Sequence, residues 1–262
     1  MKCKICGQPS TLYDKAIILG KYDVRYMQCQ TCGFVQAEDP HWLTEAYSDA
    51  ITASDLGLVA RNLGNSKICR ALIPIFFDRR GKFVDYGGGY GLFVRMMRDT
   101  GFDFYLLDPL CENLFAKRFE ADPNGYDRYE LVTAFEVFEH LEDPLSTIEQ
   151  MLRFSSNILF STLLLPPAKP KLTEWQYFGL EHGQHISVYT EQTLAMIAKK
   201  FKLQVHSCRR SLHLFSQEPL KYKWLFDWVV DYRVGSLLSI IRKQPSLTPT
   251  DYFFITGTQL QP

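Results

Sequence analysis

Four of the seven cysteines form two identical patterns, each a Cys-x-x-Cys followed by glycine. They are Cys3, Cys6, Cys29 and Cys32. One such turn lets two thiolates hold an ion, and two turns supply the four tetrahedral ligands of a structural zinc site. Two disulfides or a redox pair are the alternatives, but a reducing cytoplasm argues against disulfides and a redox motif needs no matched second copy. We therefore predict a structural zinc ion that leaves no position open for catalysis.

A second pattern is the glycine-rich stretch VDYGGGYGL at residues 84–92, which follows an apolar run. A dinucleotide fingerprint G-x-G-x-x-G would require a glycine where Leu92 stands. The register D-x-G-x-G-x-G fits instead, with its members at Asp85, Gly87, Gly89 and Gly91. An acid at the end of a strand would repel a pyrophosphate and suits a cationic ligand such as S-adenosylmethionine, which carries a sulfonium and an ammonium group. The glycines would let the backbone lie against that ligand.

A second acid, Asp108, ends the next apolar run. It is placed to accept hydrogen bonds from two ribose hydroxyls. The alternative is a helix N-cap before Pro109, and the two roles are compatible.

The stretches DYGGGYG and AFEVFEHLEDP (134–144), together with Asp108, resemble class I S-adenosylmethionine-dependent methyltransferases. With the cysteine turns, nearly the whole chain is similar to zinc-ribbon methyltransferases that include sugar C-methyltransferases. The resemblance implies a cofactor site whose residues are Asp85, Gly87, Gly89 and Asp108, with Phe135 and Glu136 lining it and Tyr86 and Tyr90 beside it. The family's adenine contact would come from the third strand, which must be very short here. The nearest candidates are Phe119 and Glu120.

A long loop, from Pro166 to Tyr189, concentrates aromatic and titratable side chains. In the resemblance a histidine of this region lies near the transferred methyl, so we predict His182 or His185 as the acid/base, with His140 and Tyr177 as further candidates. Loop histidines that only bind backbone are the alternative. Two histidines without a third clear ligand argue against a catalytic metal.

These residues need an α/β scaffold to position them. Apolar runs at 82–86, 102–107, 129–135 and 157–165 alternate with helical patterns, which predicts a Rossmann-like, doubly wound, mostly parallel sheet. We divide the chain into a zinc ribbon (1–38), a helical linker or lid (39–80) that ends near Pro74, and a methyltransferase domain (81–262). Thr190 is the expected N-cap of the next helix, 203–210 and 212–215 the closing strands, 220–241 a packing or dimer helix, and 253–256 an edge strand.

Composition limits the partners. The 262 residues carry 29 basic and 29 acidic side chains, and this balance argues against non-specific binding of nucleic acid. No apolar stretch has the length of a membrane span, and the first residues lack the apolar core of a secretory signal. We expect a soluble, cytoplasmic protein with a small-molecule substrate, and a homodimer is conceivable.

The sequence therefore predicts methyl transfer from S-adenosylmethionine to a small molecule such as a sugar. Two other functions stay open. One is methylation of RNA or protein, with the ribbon docking the macromolecule. The other is a catalytically silent zinc-ribbon protein on a methyltransferase fold.

Overall fold

The computed structural model describes residues 1–48, 52, 55–125, 127–208, 211–230 and 244–261. The chain divides into two compact units. One consists of Met1–Asp55, Phe135–Gln150 and Phe160–Glu218, and the other of Leu56–Ala134, Met151–Leu159 and Pro219–Pro262. The ribbon thus groups with two later segments, and the predicted boundaries at residues 38 and 80 stay a prediction.

The main sheet confirms the predicted fold class. Its strands are β4 (Lys82–Tyr86), β5 (Asp103–Leu107), β6 (Leu131–Ala134), β7 (Asn157–Ser161), β9 (Gln204–Cys208) and β10 (Leu212–Ser216). They follow the order β5-β4-β6-β7-β10-β9. Parallel pairing joins β4 to β5 and to β6, while β9 and β10 pair antiparallel. Such a sheet presents the carboxyl ends of its parallel strands along one edge, where α/β proteins bind ligands.

The first unit contains the ribbon sheet, ordered β1-β2-β3-β8. Its strands are β1 (Ser10–Ile18), β2 (Tyr22–Cys29), β3 (Val35–Ala37) and β8 (Ser187–Val188). β1 and β2 form an antiparallel hairpin, and β3 pairs antiparallel with β8, which lies at the end of the predicted loop. One apolar cluster covers this sheet, and its fully buried side chains include Tyr26, Trp42 and Phe178.

Short helices complete this unit. They are α1 (Leu43–Ala46), the 3-10 helices at Phe138–His140 and Gln176–Phe178, and α5 (Glu191–Phe201). Thr190 caps α5 as predicted, because its hydroxyl accepts from the Thr193 amide at 3.1 Å. Helix α4 (Pro144–Phe154) follows β6, as its apolar spacing indicated.

The second unit packs helices α2 (Leu58–Phe76), α3 (Leu92–Arg98), α6 (Lys223–Val230) and α7 (Thr248–Thr256) with β4, β5 and β6. The predicted short third strand is a single parallel bridge between Leu106 and Glu120. Pro74 lies inside α2 rather than ending it. Because it stands in the last turn, its missing N–H removes little of the hydrogen-bond ladder.

Two other predictions about the carboxyl-terminal part need comment. The prediction of an edge strand at 253–256 is wrong, because these residues belong to α7. A proline in the first turn and left-handed Gly257 after the last residue define that helix. Of the helix predicted over 220–241, the structure describes α6; Tyr232 and the residues up to 241 lie outside the described residues. No helix in the described ranges combines the length and apolar character needed to cross a bilayer.

Candidate active site

The glycine loop after β4 adopts a backbone that side chains would oppose. Gly87, Gly89 and Gly91 have φ values of 67°, 61° and 83°, a region that residues with a Cβ rarely occupy. The amide of Gly87 donates to the carbonyl of Leu107 at 2.8 Å, which ties the loop to the end of β5. A Cβ on Gly89 would meet no atom within 4 Å, so the space beside this residue is open.

Asp108 braces this loop from the neighbouring strand end. Its Oδ2 accepts from the Gly89 amide at 2.8 Å, and its Oδ1 accepts from the amides of Leu110 and Cys111 at 2.8 and 2.9 Å. The carboxylate therefore caps a turn rather than a helix. Both lone pairs of Oδ1 are engaged, whereas Oδ2 has one left, so Asp108 retains the capacity to accept one further hydrogen bond, for example from a ribose hydroxyl.

Asp85 lies beneath the loop. Its side chain is only 2% exposed and accepts from the Thr133 hydroxyl at 2.6 Å. Burial, reinforced by the charge of Asp108, raises the pKa of Asp85 to about 7. A Cβ on Gly88 would stand 2.2 Å from the Asp85 Oδ2. Gly88 and Thr133, which the sequence motif did not single out, are thus required by the buried carboxyl.

Tyr86 and Phe119, two aromatic residues predicted to lie near the cofactor, both belong to the second unit but differ in their surroundings. Tyr86 is half-buried, and burial raises the pKa of its hydroxyl, so it stays a neutral phenol. Phe119 is buried, with the guanidinium of Arg98 3.7 Å from its ring centre and the ring of Phe254 at 5.8 Å. The ring of Phe119 is therefore engaged by Arg98 and Phe254, and we do not assign it a contact with the cofactor.

Glu136 stands two residues after the end of β6 and has an unusual backbone. Its φ is 55°, a left-handed conformation that is uncommon for a residue with a Cβ. The Ser161 hydroxyl accepts from the Glu136 amide at 2.8 Å and donates to the Glu136 carboxylate at 2.6 Å. Such conformations concentrate at functional sites, where the surrounding structure holds them in place. Phe135, the other predicted lining residue, is half-buried beside it in the chain.

The four predicted catalytic residues come together in the first unit. The ring centre of His185 lies 4.9 Å from the ring centre of His140 and 4.8 Å from the ring centres of both His182 and Tyr177. Sequence reasoning missed Tyr47, whose hydroxyl is 2.9 Å from Nδ1 of His140. No local signal marked it, because it lies in the helical stretch near α1, far from the motifs.

Hydrogen bonds to the ring nitrogens distinguish the histidines. Nδ1 of His185 donates to the carbonyl of Tyr177, which puts the lone pair of the neutral ring on Nε2. Nδ1 of His182 accepts from the Gln184 amide at 3.1 Å, so the neutral ring of His182 carries its proton on Nε2. Burial lowers the pKa of both His140 and His182, and neighbouring histidines add to the effect on His140. His185 thus has a fixed orientation, with the lone pair of its neutral ring on Nε2.

Glu139 lies in the stretch AFEVFEHLEDP, and no role was predicted for it. It has no exposed surface, and burial next to the charge of Glu136 raises the pKa of Glu139 to about 8. Nearby, the hydroxyl of Tyr177 is hydrogen-bonded to that of Thr162 at 2.9 Å. Burial raises the pKa of Tyr177 well above its usual value, so this residue is a neutral donor or acceptor rather than a base.

The four cysteines of the ribbon form one cluster. Their sulfurs all lie within 4.8 Å of one another, with measured separations of 3.4, 3.5 and 3.7 Å. A tetrahedral zinc ion with Zn–S bonds of about 2.3 Å requires S···S separations of about 3.8 Å, whereas a disulfide requires about 2.05 Å. Gly7 and Gly33 end the two turns in the same left-handed conformation. The cluster fits a closed metal site.

Sulfur hydrogen bonds in this cluster show how closely the thiols approach. The bond with Cys32 lowers the pKa of the Cys3 thiol to about 5 and raises that of Cys32. The three other cysteines lie outside this cluster. Cys69 and Cys208 are buried, and Cys111 is half-buried.

Comparison with known proteins identifies a family for this chain. A family model described as "Methyltransferase domain" matches residues 60–208, more than half of the chain. An O-methyltransferase family protein from Burkholderia thailandensis is similar in structure, with 14% identity, 69% of this chain and 63% of that chain covered, and a TM-score of 0.49. Human N-acetylserotonin methyltransferase in complex with SAM has 14% identity, 68% and 66% coverage, and a TM-score of 0.41. The chain thus spans less than two thirds of the length of either protein. No curated protein matches it.

Proposed function

The chain belongs to the methyltransferase-domain family, and from this premise we propose that it transfers a methyl group from S-adenosylmethionine to a small polar acceptor such as a sugar. The observation that carries the proposal is the pairing of Gly89 with Asp108. An open space beside a glycine, next to a carboxylate oxygen with an unused lone pair, suits a ligand with a ribose.

In this proposal the cofactor contacts come from Gly87, Gly89, Gly91 and Asp108, with Tyr86 lining the site, and the roles of Phe135 and Glu136 stay a prediction from the sequence. Asp85 acts from below by holding Gly88 and the loop backbone in place. When bound, the cofactor supplies a methyl group already activated by the sulfonium. The chain then has to align the acceptor and exclude water.

The acceptor's nucleophilic atom attacks the methyl carbon while the carbon–sulfur bond breaks, giving the methylated acceptor and S-adenosylhomocysteine. A hydroxyl or carbon acceptor must also lose a proton. We assign this task to the cluster of His140, His185 and Tyr177, in which Nε2 of His185 carries the lone pair and the other two orient it. His182 donates from Nε2 and serves binding rather than proton removal.

Zinc is part of the same proposal. The geometry of Cys3, Cys6, Cys29 and Cys32 supports a structural ion, and no ligand position would remain for substrate. The ion would fold the ribbon, whose sheet includes β8 and so borders the histidine loop.

The proposal is tested with S-adenosylmethionine labelled in its methyl group. Purified protein is incubated with a dialysable metabolite fraction, with transfer RNA, and with a protein fraction, and label is followed in each. We expect label in the dialysable fraction alone. His185→Ala should lower the rate by about 10²- to 10⁴-fold, whereas the exposed control His41→Ala should not change it.

The other outcomes each favour a different function. Label only in RNA or protein would support macromolecular methylation with the ribbon as the docking module. Cofactor binding without any methyl transfer would reject the acceptor assignment, and absence of cofactor binding would favour a catalytically silent protein.

A further inference from the structure

Three metal-ligating side chains in the first unit meet at one point. Glu139, His140 and His185 each offer one ligand atom, and these atoms all lie within 4.8 Å of one another. Glu139 and His140 are consecutive in the 3-10 helix, and His185 stands two residues before β8. The sequence argued against a metal because His182 and His185 lacked a third clear ligand. The fold supplies the missing donors from a segment more than forty residues earlier.

The backbone fixes how these donors face one another. The Ile186 amide donates to the carbonyl of Glu139 at 2.9 Å, and the Ser187 hydroxyl donates to that of Leu141 at 2.7 Å. The two bonds bind the segment that carries His185 to the segment that carries Glu139 and His140. A ligand set positioned by main-chain contacts needs little rearrangement to bind an ion.

Both imidazoles have the outer support that metal-binding histidines use. Nδ1 of His185 donates to the carbonyl of Tyr177, and Nδ1 of His140 meets the hydroxyl of Tyr47. Contacts at one nitrogen fix the tautomer and the ring plane, and leave the other nitrogen to the metal.

The carboxylate of Glu139 completes the set. Its side chain has no exposed surface, and neither of its oxygens accepts a hydrogen bond of normal geometry, although the hydroxyls of Tyr177 and Thr162 lie near it. A buried carboxylate is stable only with a proton or a cation beside it, and a bound metal ion would supply that cation. The burial of Glu139 therefore supports a metal site independently of the spacing of the histidines.

We propose that Glu139, His140 and His185 bind a divalent transition-metal ion. Two imidazoles and one carboxylate form the donor set of non-haem sites that keep open coordination positions. This site differs from the cysteine cluster, whose four sulfurs close the coordination shell. The lone pair on Nε2 of His185 serves as a ligand when the ion is present.

The role of the ion rests on the proposed function, although its binding does not. An acceptor hydroxyl that reaches an open position would be polarised, which favours loss of its proton to solvent before it attacks the methyl carbon. Acceptor activation would then be lost with any of the three ligands.

Binding is tested with Mn²⁺, which has little preference for thiolates and so does not compete for the ribbon. Protein already containing zinc is titrated with Mn²⁺, and free ion is measured by electron paramagnetic resonance. We expect about one Mn²⁺ per chain, and loss of that binding in Glu139→Gln, His140→Ala and His185→Ala. His182→Ala, from the same loop, should retain it. Circular dichroism checks that each variant is folded.

Tyr47→Phe provides a conservative second variant, since it removes only a hydroxyl. It should weaken Mn²⁺ binding by about 10- to 100-fold. Wild-type protein that binds no Mn²⁺, or equal loss in His182→Ala and His185→Ala, would overturn the metal site. Methyl transfer that persists without Mn²⁺ binding rejects this inference alone, whereas Mn²⁺ binding without methyl transfer to any fraction rejects the proposed function alone.

Discussion

The hydroxyl of Tyr26 donates a hydrogen bond to the main-chain carbonyl of His185 at 2.9 Å. Tyr26 is fully buried in β2, three residues before Cys29. The pairing of β3 with β8 adds a second connection between the ribbon and the histidine loop. The ribbon is therefore part of the support that orients His185, so the proposed zinc ion should affect catalysis without touching a substrate.

Removing the Tyr26 hydroxyl tests this connection. Tyr26→Phe leaves the carbonyl of His185 without its donor and should lower kcat by about fivefold, since one such bond contributes about 1 kcal/mol. The affinity for S-adenosylmethionine should not change. Tyr13→Phe is the matched control, because Tyr13 also donates from the ribbon to a loop carbonyl, that of Pro170. Equal losses in the two variants would contradict a specific role for Tyr26.

Removing the zinc ion should also lower kcat, and by more than Tyr26→Phe does. Cys29→Ser breaks the ligand set, so metal analysis should fall from about one zinc per chain to less, and the ribbon should lose stability because structural zinc binding is coupled to folding. Since the hydroxyls of Thr190 and Thr193 both bond to the carbonyl of Cys32 at 2.8 Å, the start of α5 should loosen too.

Hydrogen exchange of the α5 amides, compared between Cys29→Ser and Cys208→Ser, measures that loosening. Cys208 lies outside the ribbon and is buried in β9, so its variant serves as the control for loss of a buried thiol. A reduced, zinc-free wild-type protein with a fully protected ribbon would be incompatible with this account.

The buried carboxyl under the glycine loop predicts a pH dependence of stability. The pKa of Asp85 is raised to about 7 in the folded protein, against about 3.9 in an unfolded chain. The folded state therefore holds the proton more tightly. The stabilisation from Asp85 is complete below about pH 4 and is lost as the pH rises through about 7.

Asp85→Asn keeps an acceptor for the Thr133 hydroxyl and removes the titration. We expect the free energy of unfolding, measured by urea titration, to lose a slope of up to about 1.4 kcal/mol per pH unit between pH 4 and 7. Asp122→Asn, at an exposed carboxylate of the same unit, should leave the slope intact. A wild-type slope of the opposite sign that Asp85→Asn leaves unchanged would contradict the assignment.

Local sequence patterns correctly predicted the structural features that depend on residues close together in the chain. Glycines 87, 89 and 91 form the predicted loop after a buried strand, and Thr190 caps its helix. Spacing also identified the four cysteines that meet in the ribbon. In each case the residue type itself carries the physical requirement.

Contacts between distant segments escaped prediction. Nothing near Tyr47 indicates that it meets His140, and the burial that engages Phe119 with Arg98 depends on how α3 packs. Residues 253–256 have aromatic and β-branched side chains, which favour a strand. The end signals of α7 determined the outcome instead, because a proline in the first turn and a glycine after the last turn suit a helix.

The most direct test of the central claim is calorimetric titration of Gly89→Ala with S-adenosylmethionine. The new Cβ would enter the open space beside the loop, where we place the cofactor. Gly20→Ala is the matched control, because Gly20 has a similar φ of 71° with nothing within 4 Å, in the turn between β1 and β2. Both changes should destabilise the chain by a similar amount, about 1 kcal/mol.

We expect wild type and Gly20→Ala to bind S-adenosylmethionine equally, and Gly89→Ala to bind at least about tenfold more weakly, a difference of about 1.4 kcal/mol. Wild-type protein that binds no S-adenosylmethionine, or a Gly89→Ala variant that binds as tightly as Gly20→Ala, would contradict the account.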